Sequence, residues 1–408
     1  MIKKLRLHNF KTFLNFEIDL TRRHLIIGKN NTGKSNLCQA VRFLGATSLL
    51  DYDKLASPGG LEGFRHRGFR SPVAAFECAC VLPWEGNRLT FEYKLHLQVS
   101  SPSAATGAAQ LPLRTSLERL DVTSANSDKL VLLDSDGETA QVLHEEPSGR
   151  KGGVRGEAVP SKAPVGCSML SKLYELDTNQ MATLFKRFLG SIAYYAFSPP
   201  LMRYGWNMPE IVPSPTGPLL PNGPNLPFVL FRLKNEDEPR YRRLMAFVSQ
   251  VEPEIDSIGF WVAPDNRPIP YVILKGGTRV SWDSLSDGTL CILALAAVFI
   301  FADRTEDPLS GWVPSVTMIE EPENSLYCGL LQSLWEDFSG LAPQSQFIFT
   351  SHSPYFIDLF DRDLSSVTSL RKDQMVTAGK PLTQYRSSIQ QYRGDFSLGE
   401  LHYKELFA

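Results

Sequence analysis

The sequence predicts an α/β protein with a mixed or parallel sheet and helices, into which an antiparallel and helical lobe is inserted. Three observations support this fold class. A short apolar strand, a glycine-bounded loop and a helix-patterned segment follow one another in residues 24–44. Helical and strand-like segments alternate between residues 289 and 350, an order typical of a parallel sheet. Between these regions, residues 71–252 show first strand alternation and then helical spacing.

Length and charge indicate a folded protein of two or three compact units. The chain has 408 residues, and its 42 Lys+Arg against 44 Asp+Glu give a formal net charge of −2. At roughly 150 residues per domain, this length predicts two or three compact units. A hydrophobic content of 43% and a charged content of 21% exclude wholesale disorder. The near-neutral balance argues against a protein that coats nucleic acid through bulk positive charge.

Cysteine usage and hydropathy indicate a compartment. The six cysteines form no C-x-x-C pair, so we expect reduced thiols and no disulfide framework. The N-terminal segment lacks the apolar stretch of a signal peptide. The longest apolar run, residues 290–302, is too short to cross a bilayer. These features predict a soluble cytoplasmic protein without a membrane partner.

The first half of the chain is patterned mainly for strands. Residues 2–7 and 16–20 alternate between apolar and polar side chains, whereas residues 24–27 resemble a short buried strand and residues 36–44 have helical spacing. Further on, the segments with strand pattern are 73–82, 89–99, 129–133 and 139–143. Two stretches rich in Gly, Pro and Ser, 100–110 and 147–166, are predicted to be mobile surface loops.

The second half begins with helices. Apolar residues repeat at intervals of three and four through much of residues 172–252, around a Pro/Gly-rich turn region at 198–227. A hairpin is predicted for residues 271–282. The alternation that predicts a parallel sheet then runs through a helix at 289–302, a strand at 316–319, a helix from 326 to 338 and a strand at 346–350.

A glycine-rich loop follows the strand at 24–27. Its sequence, GKNNTGKS at residues 28–35, matches G-x-x-x-x-G-K-[ST] and precedes a helix. The glycines let backbone N–H groups curl round a phosphate, and the helix N-terminus adds positive potential. In this pattern the lysine reaches the β- and γ-phosphates, and the hydroxyl residue contacts Mg²⁺. The loop therefore predicts a site for ATP and Mg²⁺.

Two adjacent carboxylates, Glu320 and Glu321, end the apolar strand at 316–319. At the carboxyl edge of a parallel sheet, the first can hold Mg²⁺ through a water molecule, and the second can polarise the attacking water as a general base.

Two further motifs have both a structural and a functional interpretation. LSDG at residues 285–288 opens an apolar helix, where a serine and a glycine are also expected as an N-cap and a turn. His352 follows the strand at 346–350, where it can contact a γ-phosphate or simply close a turn.

Along the chain the four motifs follow one another at residues 28–35, 285–288, 320–321 and 352. In this order they resemble the ABC-type ATPase head of the SMC/RecF/OLD group, especially its small bacterial AAA-like members. The resemblance covers residues 1–45 and about 265–360, and it touches FKTF at 10–13 and FSPP at 197–200. It implies an ABC-type P-loop ATPase head with an inserted antiparallel-β and helical lobe. The regions it implies are an N-terminal ATPase lobe at 1–70, an antiparallel insertion at 71–170, a helical lobe at 171–264 and a C-terminal ATPase lobe at 265–408.

The resemblance also implies a role for each motif. Residues 28–35 correspond to Walker A, Glu320 and Glu321 to Walker B, residues 285–288 to the signature, and His352 to the switch histidine. The predicted catalytic residues are Glu321, Lys34 and His352; the predicted metal ligands are Ser35 and Glu320; and the predicted nucleotide-binding residues are Gly28, Asn30, Asn31, Thr32, Gly33, Lys34, Ser35, Asn36, Ser286, Asp287 and Gly288.

Two motifs depart from the group's usual pattern. Glu320 stands where most ABC heads have aspartate, and Ser325-Leu326-Tyr327 replaces the usual Gly-Leu-His or Gly-Leu-Asp after Walker B. A Q-loop residue is not assigned, since Gln98 is only a weak candidate.

A head of this kind is expected to dimerise around two ATP molecules, because its signature serves the opposite copy. The preferred function is an ATP-driven clamp, a homodimer or higher homo-oligomer, that controls a separate effector such as a nuclease or toxin in anti-phage defence. The alternatives are a RecF-like DNA repair factor and an ATPase scaffold that organises an oligomer without DNA. No nuclease domain is evident, because the 55 residues from 354 to 408 are too few for a Toprim domain. Basic clusters at 65–70, 150–155 and 240–243 leave a nucleic-acid partner open.

Overall fold

Each of the two units of this protein is assembled from two separated stretches of chain. Unit 1 contains Met1–Ile192 and Ser365–Gln384, and unit 2 contains Ala193–Leu364 and Tyr385–Ala408. The computed structural model describes residues 1–55, 64–66, 68, 71–99, 113–124, 129–145, 156–174, 178–212, 218–264, 267–302, 314–329, 331–332, 335–336 and 345–406. The division into four regions stays a prediction of domain organisation.

Unit 1 is dominated by an antiparallel sheet. Its strands follow the order β2-β1-β4-β5-β6-β7-β8-β9, and each described neighbouring pair is antiparallel. The elements of unit 1 are β1 (Ile2–Phe10), β2 (Phe13–Asp19), β3 (Arg23–Ile27), α1 (Lys34–Thr47), α2 (Tyr52–Leu55), β4 (Val73–Trp84), β5 (Asn87–Val99), β6 (Leu113–Ser124), β7 (Leu130–Ser135), β8 (Thr139–Glu145), β9 (Gly156–Lys162), α3 (Met169–Lys172), α4 (Gln180–Gly190), β16 (Val367–Asp373) and β17 (Val376–Pro381). The strands predicted for 2–20 and 73–143 are confirmed.

A phenylalanine cluster packs α1 against this sheet. Phe43 of α1 lies 4.9 Å from Phe76 of β4 and 5.0 Å from Phe64, measured between ring centroids. Phe10 of β1 lies 5.1 Å from both Phe64 and Phe76. Aromatic contacts at these distances stabilise beyond the area they bury. The cluster therefore fixes the helix that follows the glycine-rich loop.

Strand β6 is absent from the sequence prediction because a charged side chain points into the core. Glu118 is buried, and its carboxylate accepts hydrogen bonds from Tyr93 Oη (2.9 Å) and from the backbone N–H groups of Leu170 (3.0 Å) and Met169. Burial raises the pKa of Glu118, whereas these three donors lower it. An inward glutamate interrupts the apolar alternation by which a strand is recognised.

Glu118→Gln should lower the free energy of unfolding by about 1–3 kcal/mol, because the new amide N–H₂ faces groups that are themselves donors. Thermal and urea denaturation of the purified protein measure the change. Glu92→Gln on neighbouring β5 is the matched control, since Glu92 has 49% of its side chain exposed. That control should stay within about 0.5 kcal/mol of the wild type; equal stability of Glu118→Gln would contradict the assigned hydrogen bonds.

The segment 147–166 was predicted to be a mobile loop, and that prediction is wrong for residues 156–162. These residues form β9, which pairs with β8 at the edge of the sheet. The strand is largely exposed and contains Pro160, which an edge strand tolerates because one side of its backbone needs no partner. The other predicted loop, 100–110, and residues 146–155 lie outside the described part of the chain.

A second group of strands in unit 1 supports the glycine-rich loop. β3 pairs in parallel with β16, and β16 pairs antiparallel with β17. β16 and β17 come from residues 367–381 and were not predicted as strands. The chain thus returns after more than three hundred residues to complete the surroundings of β3.

Unit 2 combines helices with a parallel strand pair and a small antiparallel sheet. β14 and β15 are parallel, whereas β11, β12 and β13 form an antiparallel meander. Its elements are β10 (Ile192–Tyr195, beginning at the last residue of unit 1), α5 (Pro199–Tyr204), α6 (Leu226–Glu236), α7 (Glu238–Val251), β11 (Ile255–Val262), β12 (Pro268–Leu274), β13 (Arg279–Ser281), α8 (Asp287–Ala302), β14 (Val316–Glu320), β15 (Gln346–Ser351), α9 (Pro354–Asp358), α10 (Arg386–Tyr392) and α11 (Leu398–Tyr403).

Helix α8 is apolar on all sides and almost wholly buried, as expected of a central helix. After β14 the chain turns through residues 322–326 and becomes helical only at residue 328, two residues later than the predicted start of that helix. Within the described residues, no helix has the length and apolarity needed to span a membrane.

Candidate functional site

The glycine-rich loop joins β3 to α1 in a conformation that requires its two glycines. Gly28 and Gly33 have φ of +157° and +106°. A Cβ on Gly28 would lie 2.7 Å from the carbonyl oxygen of Leu370, and one on Gly33 would lie 2.8 Å from Thr377 Oγ1. Both contacts are too close for a carbon atom. Only glycine combines this backbone with these neighbours.

Neighbouring strands hold the loop through hydrogen bonds that its motif does not predict. Thr377 of β17 donates its hydroxyl proton to the carbonyl of Thr32 (2.8 Å) and its N–H to the carbonyl of Thr12 (2.7 Å). Asn36 Nδ2 donates to Thr12 Oγ1 (3.1 Å). The FKTF segment at 10–13 therefore contributes to the support of the loop through Thr12.

Lys34 is buried within its own loop. Its ammonium donates to the carbonyl oxygens of Gly28 (2.6 Å) and Lys29 (3.1 Å). Ser35, at the start of α1, is exposed. A cation held among backbone groups at a helix N-terminus is the arrangement that binds phosphate.

The two carboxylates lie at the carboxyl end of β14, beside the end of β15. Glu320 is in register with Thr350, and the N–H of Glu321 donates to the Thr350 carbonyl (2.9 Å). This parallel pairing places Glu321 and His352 at the same edge.

Glu321 has a restricted position. Its φ of +44° is in the left-handed region, which a residue with a side chain adopts at a cost. His352 Nδ1 lies 3.0 Å from Glu321 Oε1, and Asn324 Nδ2 donates to Glu321 Oε2 (2.8 Å). Both carboxylate oxygens are thus oriented.

The LSDG segment forms the N-terminus of α8, as both of its interpretations require. Ser286 Oγ accepts a hydrogen bond from the N–H of Thr289 (3.0 Å), which is an N-cap. A Cβ on Gly288 would lie 2.8 Å from the backbone carbonyl of Ser325, so the loop after β14 closely approaches this helix start. The glycine is needed for that approach.

Two family models match this chain in the regions that contain the predicted site residues. Residues 1–92 match the model of an AAA ATPase domain, and residues 176–358 match that of an AAA domain described as a putative AbiEii toxin of a type IV toxin–antitoxin system. Together with the Walker A loop and the paired carboxylates, these matches decide the class.

This chain is an ATPase that carries two segments similar to AAA ATPase domains.

The predicted fold class is confirmed by a solved structure. The SMC head bound to the C-terminal winged-helix domain of ScpA is 13% identical to this ATPase, with a TM-score of 0.53, and the match covers 95% of this chain and 99% of that one. An SMC head domain from Thermotoga maritima, 14% identical with a TM-score of 0.44, matches 93% of this chain and 98% of its own. At 13% identity the likeness to the ScpA-bound head shows the fold alone.

Sequence similarity to a curated protein is confined to a short segment. An ATP/GTP phosphatase from Helicobacter pylori (strain ATCC 700392 / 26695) is 46% identical over 50 residues. Those residues are 12% of this ATPase and 14% of that protein, so the chain matches about a seventh of the length of this relative.

The residues present fit a magnesium ion bound with the nucleotide. Glu320 Oε1 and Glu323 Oε2 are buried without a hydrogen-bond partner in the described part of the chain, and an unpaired carboxylate oxygen suits a cation or its waters. The described residues contain no cluster of three or more side chains that could hold a metal ion by themselves. Such a donor set fits Mg²⁺, which protein sites commonly hold through one or two carboxylates, substrate phosphates and waters.

Sequence reasoning missed Glu323 and its partner. The Ser351 hydroxyl donates to Glu323 Oε1, and the N–H of Ser353 donates to Ser351 Oγ (3.0 Å). Burial raises the pKa of Glu323. This buried pair ties the loop after β14 to the segment that carries His352.

Arg203 was also missed, although it follows the FSPP segment that carried part of the resemblance. Its Nη2 donates to the carbonyl of Leu285 (2.7 Å) and to Asp287 Oδ1 (2.6 Å), while Trp282 Nε1 donates to the carbonyl of Met202 (3.0 Å). Helix α5 thereby holds both ends of the segment that leads into the signature.

Arg203→Ala should lower ATP turnover about tenfold with little change in nucleotide affinity, because the change frees the signature loop and leaves Walker A intact. The loop loses two hydrogen bonds from the guanidinium, and each hydrogen bond to a charged group contributes about 1.5–3 kcal/mol. Steady-state phosphate release and fluorescent-nucleotide titration measure the two quantities. Arg242→Ala, an exposed arginine paired with Glu238, is the control. Unchanged turnover in Arg203→Ala would show that the signature loop needs no support from α5.

The predicted site residues are divided between the units. Gly28, Asn30, Asn31, Thr32, Gly33, Lys34, Ser35 and Asn36 belong to unit 1, whereas Ser286, Asp287, Gly288, Glu320, Glu321 and His352 belong to unit 2. In unit 2, Glu321 and His352 are in contact. In unit 1, residues 28–35 form the complete glycine-rich loop. Their roles in binding and catalysis stay predictions.

Proposed function

We propose that this ATPase hydrolyses ATP between two copies of the chain, and that closure of the pair controls a separate effector protein in bacterial anti-phage defence. The observation that carries the catalytic part is the fixed carboxylate of Glu321, which has a partner on each oxygen and a strained backbone. The similarity of residues 176–358 to an AAA domain described with a toxin–antitoxin system supports the defence role.

The chemistry proposed for Walker A is electrostatic. Lys34 leaves the carbonyls of Gly28 and Lys29 for the β- and γ-phosphates, while backbone N–H groups of the loop contact the same charge. A fixed cation of this kind stabilises the charge that develops on the transferred phosphoryl group. Mg²⁺, held by Ser35 and Glu320, would neutralise the phosphate oxygens when bound.

Glu321 is proposed to orient the attacking water. Its strained backbone and the Asn324 bond direct one carboxylate oxygen, and His352 holds the other. A γ-phosphate that competes for His352 would release Glu321 from that contact. In this way His352 could report the presence of ATP to the catalytic carboxylate.

Dimerisation is proposed from the signature. α8 presents its N-terminus at residues 286–288, and a 16-residue helix places partial positive charge there. A γ-phosphate carried by another copy would satisfy this charge, so ATP would stabilise the closed pair and hydrolysis would loosen it. We further propose a cytoplasmic location, because ATP and an intracellular phage target are both found there.

Light scattering with ATP and plaque assays test the two parts separately. Wild-type protein with ATP and Mg²⁺ should double in mass, and Ser286→Arg should stay monomeric while still binding nucleotide. Cells that express the gene with its genomic neighbours should form fewer plaques than cells with Ser286→Arg in the same operon. A mass unchanged by ATP would refute the sandwich; equal plaque counts would refute only the defence role.

A further inference from the structure

An aromatic surface with a cation lies on one face of the small sheet β11–β12–β13. We call it the aromatic platform and define it by Trp261, Ile269, Tyr271 and Arg279. Trp261 is 53% exposed and Ile269 is 41% exposed. Large apolar side chains gathered at the surface commonly mark an interaction site. No step of the proposed ATPase mechanism uses these residues.

Strand register places the platform residues on the same face. Trp261 is paired with Ile269, and Gly259, two residues earlier, is paired with Tyr271. A Cβ on Gly259 would lie 2.2 Å from the Tyr271 ring, so the ring lies over the glycine. The missing side chain therefore lets Tyr271 lie against the sheet.

The rings and the cation are in contact. The ring centroids of Trp261 and Tyr271 are 5.1 Å apart and their planes are inclined by 33°. The guanidinium carbon of Arg279 lies 4.9 Å from the Trp261 centroid and 5.3 Å from the Tyr271 centroid. Cation–π contacts at these distances hold the arginine beside the rings. The three side chains thus form a preordered group.

The charge of Arg279 is available to a ligand. In the part of the chain that the structure describes, Arg279 has no carboxylate partner, and by strand alternation it is the charged residue on this face. Lys275, in the turn between β12 and β13, adds a second exposed cation near the sheet. Asp256 lies at the bulge of β11, where it accepts a hydrogen bond from Ser257. Arg279 is therefore the cation that the platform offers to a ligand.

We propose that the aromatic platform binds single-stranded nucleic acid, with a base stacked on Trp261 and a phosphate beside Arg279. Exposed aromatic rings next to a cation that has no carboxylate partner among the described residues match what such a strand offers, since every base has a π face and every nucleotide a phosphate. The bases of a duplex are already stacked and paired, so a single strand fits better.

Fluorescence anisotropy with a labelled 20-nucleotide oligothymidylate tests the proposal on the full chain without ATP. Trp261→Ala should weaken binding about tenfold, the order expected for loss of one base–aromatic stack. Arg279→Ala should reduce the slope of log Kd against log salt by about 0.7, the value for one phosphate contact on a single strand. Arg279→Lys should keep that slope.

Two exposed residues away from the platform serve as matched controls. Tyr174 is 79% exposed, and the Arg242 side chain is 75% exposed. Tyr174→Ala and Arg242→Ala should bind as the wild type does. ATP turnover measured without nucleic acid should be unchanged in Trp261→Ala, which separates this proposal from the ATPase mechanism.

The proposal is wrong if the wild type fails to bind the oligonucleotide at low salt, or if Trp261→Ala and Arg279→Ala bind it as tightly as the controls. Equal affinity for a duplex of the same length would also contradict it. Thermal melting confirms that each variant is folded; because Trp261 is exposed, its replacement should leave the melting temperature unchanged within about 2 °C.

Discussion

Glu321→Gln should reduce ATP hydrolysis by a factor of about 10²–10³ while ATP still binds, because the amide cannot accept the proton of the attacking water. Glutamine keeps the shape of the side chain, and its carbonyl oxygen can still accept from Asn324. The loop after β14 therefore keeps its conformation. Since binding continues and hydrolysis does not, the closed pair should accumulate.

Size-exclusion chromatography with ATP and a phosphate-release assay measure the two effects. The variant should elute as a dimer with ATP and as a monomer without it, whereas the wild type should return to the monomer as ATP is consumed. Glu238→Gln, a change at an exposed glutamate of α7, should behave as the wild type. Normal turnover in Glu321→Gln would remove this residue from catalysis, and an unchanged elution volume with ATP would argue against the sandwich.

Lys34→Ala should abolish measurable turnover, a loss of about 10²–10³ or more, because one positioned cation beside a transferred phosphoryl group contributes on this scale. Nucleotide affinity should fall as well, since the same ammonium contacts the ground-state phosphates. This joint loss distinguishes Lys34→Ala from Glu321→Gln, in which affinity is kept.

Lys29→Ala is the matched control for Lys34→Ala, because Lys29 lies in the same loop with its side chain exposed. Phosphate release and titration with a fluorescent ATP analogue measure turnover and affinity. Thermal melting identifies any loss of stability caused by the missing contacts of Lys34 with its loop. If Lys29→Ala were as inactive as Lys34→Ala, the loop would depend on general positive charge and not on Lys34 itself.

The sequence predicted the parts of the site whose chemistry is local. The Walker A loop is specified by a strand, two glycines, a lysine and a helix at fixed spacing, because each of these parts meets a separate requirement of a phosphate site. Glu320 and Glu321 were placed at the end of a strand for the same kind of reason. In both cases the pattern lies within about ten residues.

The supporting residues escaped prediction because their partners are distant in the chain. Thr377 contacts Thr12 and Thr32 across more than three hundred residues, and β16 and β17 are too polar to show a clear strand pattern. β6 was missed because Glu118 points inward. Arg203 had no signal of its own, since its role depends on where Leu285 lies in the folded unit.

Support for the Walker A loop by Thr377 has a consequence for synthesis. The loop is translated within the first tenth of the chain, but the strand that holds it ends at residue 381. Contacts between residues so far apart form late, because a long loop must be closed before they contribute. On the ribosome, unit 1 therefore cannot complete its loop until nearly all of the chain has emerged. A nascent or truncated chain would carry the motif without its support, so nucleotide binding would begin only when synthesis is almost finished.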